Sequence, residues 1–152
     1  MVTPAECLEA AVRLEMHAHD LYRSLASRYF EHADLHALFQ MLAGEEEEHA
    51  RRIRALALEP LDAAAWDDRT KCRIAGQMRA MEAEAVAMVV RSSGRKPDRP
   101  DHLIRWVTDF ERRFGLVHAE ELAPIFAPEA RETFLALAVQ DERHRALLAE
   151  AT

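Results

Sequence analysis

Leu35, Phe39, Leu42, Glu46, His49, Ile53 and Leu56 recur along the chain at spacings of three and four, which is the core-facing stripe of a bundle helix. Two members of that stripe are polar. Positions i and i+3 project from one face of a helix, so Glu46 and His49 can grip a single cation together, the first through oxygen and the second through nitrogen. An ionised carboxylate in a core is costly unless a metal or a partner neutralises it. Any fold for this chain must therefore bring compensating charge to Glu46.

The rest of the chain repeats the pattern. Thr3-Pro4-Ala5-Glu6 reads as a helix start, with Thr3 as N-cap, Pro4 at the first helical position and Glu6 closing a capping box. The helix it opens, over 4–29, has the inner row Leu8, Ala11, Glu15, Ala18, Tyr22, Leu25 and Tyr29. A second helix over 35–57, capped by Asp34, follows a short polar link, so the two lie antiparallel. At about 1.5 Å rise per residue, Glu15 and Glu46 then sit at nearly the same height in the hairpin. The pattern breaks at Glu59-Pro60-Leu61-Asp62 and resumes as a crossover helix over 68–92, begun by Asp67 or Asp68 and stopped around Ser92-Ser93-Gly94. Its stripe of Ile74, Met78, Met81, Ala85 and Met88 is packing or a subunit contact, since Met is a flexible gap-filler and no ligand for hard cations. Arg95 to Pro100 reads as a polar linker. A third bundle helix over 102–122 carries Ile104, Val107 or Thr108, Glu111, Phe114, His118 and Leu122, and a fourth over 128–150 carries Phe134, Leu137, Asp141, His144 and Leu148. Glu111 and Asp141 again meet at one level.

Composition agrees with this reading and narrows it. Only 4 Gly and 6 Pro in 152 residues favour an all-α chain, and the length suits one domain spanning 1–152. A net charge of −7 argues against nucleic-acid binding. Cys7 and Cys72 form no CxxC pair, so neither a thiolate metal site nor a disulfide framework is expected. No segment reads as a leader or a membrane span, which makes the expected compartment cytoplasmic.

The two halves are copies of one plan. Glu15 and Glu111 stand 96 positions apart, as do Tyr22 and His118, while Glu46 and Asp141, and His49 and His144, stand 95 apart. One E-x-x-H in a Glu-rich helix is weak; two copies in register, each preceded by a stripe carboxylate, are far more specific. Four carboxylates and two histidines inside a four-helix bundle are the ligand set of a dinuclear iron or manganese centre. Two divalent cations would bring the buried site close to neutral. Tyr22 hydrogen-bonds a ligand carboxylate, serves as a redox relay or is a packed tyrosine satisfied by any acceptor, and His118 is an extra ligand, a proton relay or a satisfied core histidine. Glu45, Glu47 and Glu48 flank the stripe and read as solvated; His17, His19, His32, His36 and His102 read as surface or capping residues. Gly44 and Gly115, inside helices, permit a close approach or a bend, or are simply tolerated.

On Glu15 with Tyr22 in RLEMHAHDLY, Glu46 and His49 in GEEEEHARR, Glu111 in DFERRF, and Asp141 with His144 in QDERHRALL, the chain resembles the ferritin-like superfamily, and within it rubrerythrin, bacterioferritin and related small diiron proteins. The resemblance covers the four bundle helices and not the crossover helix. It implies a ferritin-like bundle of two antiparallel hairpins, with Glu46 and Asp141 bridging two iron (or manganese) ions, Glu15 and Glu111 as terminal ligands and one histidine on each ion. Tyr22 and His118 are the candidate catalytic residues. The implied activity is oxidation of ferrous iron by O2 or H2O2. Asp141 stands where the family has Glu, Phe114 where true rubrerythrins carry a further carboxylate, and no four-cysteine rubredoxin module is present in this sequence, which favours a generic ferritin-like oxidase over a self-contained peroxidase. Two other readings stand beside it: a diiron hydroxylase of an organic substrate, and a metal-free helical interaction module that kept the fold. Expected partners are metal ions with O2 or H2O2, an electron-donor protein, and further copies of the chain in a homo-oligomer, with neither nucleic acid nor membrane among them.

Overall fold

In the computed structural model, residues 3–58, 66–94 and 99–151 are described. They form five α-helices, and no strand occurs among the described residues: α1 Pro4–Arg28, α2 Ala33–Ala55, α3 Asp68–Ser92, α4 Pro100–Leu116 and α5 Pro128–Glu150. The all-α bundle of two hairpins with an added crossover helix is the architecture observed. Helix α1 packs along α2 and α4 along α5, while α3 lies against α1 and α5 also meets α2. The break at Glu59 to Asp62 and the linker residues Arg95 to Asp98 lie outside the described residues.

Local chemistry sets the helix ends. The Thr3 hydroxyl accepts from the Glu6 N–H at 3.2 Å and the Glu6 carboxylate accepts from the Thr3 N–H, completing the capping box. Asp67 caps α3 by accepting from the Thr70 N–H at 2.6 Å. Asp34 does not cap α2. That helix begins two residues earlier, with His32 at the N-cap and no side-chain cap, and Asp34 sits in the first turn, where its charge favours the positive end of the helix dipole.

The larger departure is at the end of α4. The α-helix expected to continue to Leu122 stops at Leu116, and Val117–Leu122 form a π-helical turn, with the Ala123 N–H donating to the His118 carbonyl. A 3-10 turn, Ala123–Ile125, follows and leads into α5. π turns concentrate at functional sites because the extra residue re-aims side chains; here the turn contains the buried His118.

Every apolar member of the four bundle stripes is buried except the partly covered Leu35, Thr108 is partly covered too, and the whole α3 stripe of Ile74, Met78, Met81, Ala85 and Met88 is buried as well. Helix α3 is fastened to its neighbours by polar contacts at its edges. Arg13 of α1 donates to Glu82 at 2.7 Å, Ser92 donates to Ser24 at 2.8 Å, and Glu84 accepts from Trp106 of α4 at 3.0 Å and from Arg113. These ties hold α3 on the outside of the bundle and leave the interior to α1, α2, α4 and α5. No helix among the described residues is long and apolar enough to cross a membrane.

Candidate metal centre

The stripe positions of four helices deliver their polar residues to one place in the core. Glu15, Glu46, Glu111, His118, Asp141 and His144 are each 0 % exposed, and His49 is 1 % exposed. Two groups of ligand-type atoms close enough to hold an ion emerge from them: Glu15, Glu46 and His49, and Glu46, Glu111 and His144. Glu46 belongs to both. One of its oxygens lies 3.2 Å from His49 Nδ1 and the other 3.0 Å from His144 Nδ1, so the carboxylate spans the two groups. The imidazoles of His49 and His144 stack, 5.5 Å apart between centroids and 6° from parallel.

Asp141 takes a different place from the other carboxylates. Its Oδ1 is 3.9 Å from His49 Nδ1, the longest approach to that ring, and its Oδ2 accepts from His118 Nδ1 at 2.7 Å. An aspartate reaches one methylene less than the glutamate of the other half, and His118 takes up the carboxylate that falls short. The other nitrogen of His118, Nε2, lies 3.0 Å from Glu15 Oε1. His118 thus stands between two carboxylates, with Phe114 and Phe134 against its ring. Gly115 faces α5 at this level, and a Cβ there would rest in ordinary van der Waals contact with Asp141 Cβ at 3.4 Å and the Ala138 carbonyl at 3.5 Å, so the approach of the two helices does not require the glycine. No atom lies within 4 Å of a Cβ placed on Gly44, so that glycine serves no close approach.

Tyr22 donates its hydroxyl hydrogen bond to Glu111 Oε1, and its ring stacks on Phe39 at 6.2 Å. Of the three roles open to it in the sequence, the structure shows the hydrogen bond to a site carboxylate. Glu45, read from the sequence as solvated, is instead part of the surroundings of the site. Its Oε2 accepts from His144 Nε2 at 2.6 Å while its other oxygen meets Arg143 at 3.3 Å. The signal available in the sequence was its place directly before Glu46, which turns it toward α5 and away from the stripe. Among the outlying histidines, His36 bonds the Ala26 carbonyl at 2.8 Å and His19 pairs with Asp20 at 3.0 Å, both away from the centre.

The electrostatics follow from crowding these groups without water. Burial alone would lower the pKa of His49, yet Glu15 and Glu46 carry it up to about 10. Burial opposes protonation of His144 as well, and Glu111 and Glu46 raise it to about 11. His118, buried but flanked by Asp141 and Glu15, rises to about 10. Burial and the charge of Glu46 push Glu111 up to about 7, while Glu15, buried too, is held below the usual carboxylate value by His118 and His49. Burial and the neighbouring Glu111 raise Tyr22 well above 10, which keeps it a hydrogen-bond donor.

The residues fit a metal pair on one specific observation. Both oxygens of Glu15 and Glu46, Glu111 Oε2, Asp141 Oδ1, His144 Nδ1 and both nitrogens of His49 are buried without an aligned hydrogen bond. Their mutual distances are short, but their directions do not match as donor and acceptor. Buried polar atoms are almost always satisfied, and so many orphans in one place form a donor set that a cation could complete. Carboxylate oxygen with imidazole nitrogen is the donor set of iron and manganese, and zinc accepts it too.

The rubrerythrin family model matches residues 6–69 of the chain. The match runs through α1 and α2 and carries Glu15, Tyr22, Glu46 and His49, so the likeness to rubrerythrin-type, ferritin-like proteins seen in the motifs is borne out over the first hairpin. No curated protein matches the chain. No solved structure matches it either.

Proposed function

We propose that this chain is a non-haem diiron-carboxylate oxidoreductase that oxidises ferrous iron with O2 or H2O2. The observation that carries the reading is the pair of buried ligand groups sharing Glu46, filled with polar atoms that lack partners. The likeness of the first hairpin to rubrerythrin supports it. Glu15 and His49 would hold one ion, Glu111 and His144 the other, and Glu46 both, with Asp141 nearest the second bridging place. The chemistry a ferrous pair supplies when bound is two electrons: two ferrous ions, one H2O2 and two protons give two ferric ions and two waters, or with O2 and two protons two ferric ions and one H2O2.

The chain's own residues prepare that chemistry. Glu46 is held between two helices and two imidazoles, so it need not reorganise to meet both ions. Tyr22 fixes one oxygen of Glu111 and leaves Oε2 free for coordination. Glu45 accepts a hydrogen bond from His144 Nε2–H and so aims Nδ1 at the centre, as the carboxylate behind a ligating histidine that metal sites use to set tautomer and orientation. Phe39, Phe114 and Phe134, all buried, exclude water around it. A cytoplasmic homo-oligomer served by an electron-donor protein belongs to the same proposal; exposed Val86 and Val90 on α3, and Leu135 and Val139 on α5, are apolar side chains that support self-association.

The test is oxidation of ferrous iron by the purified chain, loaded without oxygen and then given H2O2 in limiting amounts. The reading expects two ferrous ions consumed per peroxide, faster than in buffer, and loss of that rate in Glu46→Ala. A rate equal to buffer, or one untouched by Glu46→Ala, would overturn it.

A further inference from the structure

The duplicated halves differ behind their histidines. Glu45 precedes the shared carboxylate Glu46, and the residue 95 positions later, preceding Asp141, is Gln140. In a two-fold arrangement Glu45 of α2 serves His144 of α5, and Gln140 of α5 would serve His49 of α2. Only the first of these is formed. Glu45 accepts from His144 Nε2 at 2.6 Å, whereas the Gln140 carbonyl oxygen accepts from Arg52 at 2.9 Å, and the buried Nε2 of His49 has no hydrogen-bond partner. The two rings are otherwise alike, stacked in parallel with their Nδ1 atoms toward opposite oxygens of Glu46.

The carboxylates differ in the same sense. Neither oxygen of Glu15 nor Glu111 Oε2 has an aligned hydrogen bond, but imidazole nitrogens crowd Glu15 more closely, with His118 Nε2 3.0 Å from one oxygen and His49 Nδ1 3.5 Å from the other, whereas Glu111 is fixed by the Tyr22 hydroxyl and its Oε2 has only His144 Nδ1 near it, at 3.8 Å. Glu15 therefore shares its charge with a histidine that competes with any cation. A carboxylate behind a ligating imidazole raises its basicity and fixes its ring, and losing such a partner typically costs about 10- to 100-fold in metal affinity.

Resting on the diiron reading above, we infer that the two metal positions are unequal. The Glu46–Glu111–His144 position fills first and retains its ion. The Glu15–Glu46–His49 position fills second, binds about 10- to 100-fold more weakly, and is the one through which a divalent cation exchanges. Gln140 and Glu45 are positioning residues that set the difference.

The test is calorimetric titration of the full chain with ferrous ion under anaerobic conditions. Wild type is expected to bind one ion per chain in a tight step and a second in a step at least about 10-fold weaker. His49→Ala should abolish the weak step and keep the tight one, Glu45→Gln should weaken the tight step, and Gln140→Glu should tighten the weak one about 10-fold. Gln140→Glu is also made together with Arg52→Gln, so that Arg52 cannot draw the new carboxylate away from His49, and circular dichroism confirms that each variant is folded. Two ions bound with one affinity in wild type, loss of the tight step in His49→Ala, or an unchanged weak step in both Gln140→Glu backgrounds would overturn the inequality while leaving the diiron reading intact. Wild type that takes up no ion would overturn both.

Discussion

Raising the pH of the chelator-stripped protein from about 7 to about 9 should lower its melting temperature steadily. His49, His118 and His144 have ordinary values of 6.5 and are carried to about 10, 10 and 11 by the carboxylates packed on them. A base whose folded pKa lies above its unfolded one adds stability that is complete below 6.5 and is lost as pH rises through the folded value. Over the chosen interval the unfolded chain has released these protons and the folded chain retains them. Each proton so retained removes about 1.4 kcal/mol per pH unit, and for a chain of this length that is about 3–6 °C of melting temperature per pH unit. The other raised groups act elsewhere. Glu111, raised from 4.5 to about 7, makes stability fall mainly below the interval, and Cys7, raised by burial from 9.0 to about 11, mainly above it. Thermal melts by circular dichroism across the interval, with EDTA present, read the slope; His118→Phe should reduce it by one proton's share. Saturating divalent metal should remove the shares of His49 and His144 and leave that of His118, because coordination requires the neutral ring and binding tightens as protons leave. A melting temperature that is flat or rises with pH in the stripped protein would refute the argument that the carboxylates hold these histidines protonated.

Gly44→Ala should raise stability by about 1 kcal/mol, since helix propensity improves and no atom stands in the way of the new Cβ; a melting temperature about 2–4 °C higher is the readout. Tyr22→Phe removes a hydrogen bond to a buried carboxylate and should cost the metal-free protein about 1.5–3 kcal/mol in denaturant unfolding, while the ion count per chain stays that of wild type.

The periodicity of apolar residues made the helices and most of the centre legible in the sequence. A stripe position is a statement about which face is buried, so Glu15, Glu46, His49, Glu111, Asp141 and His144 could be assigned to the interior, and hairpin lengths brought them to one height. Glu45 escaped that reasoning because it lies beside the stripe, and only the position of α5 against α2 turns it from a surface carboxylate into the partner of His144. The π turn at Val117–Leu122 escaped it too, since VHAEEL contains no breaker. Asp34 differs for another reason: it is a good capping residue that stands two positions past the N-cap His32, as the second residue of the helix. Asp141 illustrates the limit of pattern alone, because its register matches Glu46 while its shorter side chain hydrogen-bonds His118.

The central claim is that the buried donor set holds two metal ions through Glu46. Mass-spectrometric metal analysis after anaerobic ferrous reconstitution tests it most directly, on wild type and on the Glu46→Ala and His144→Ala variants. The account predicts two ions per wild-type chain and a lost pair in Glu46→Ala, with at most one ion remaining in His144→Ala. A wild-type chain without metal, or a metal content indifferent to Glu46, would contradict it and leave a helical bundle with no inorganic role.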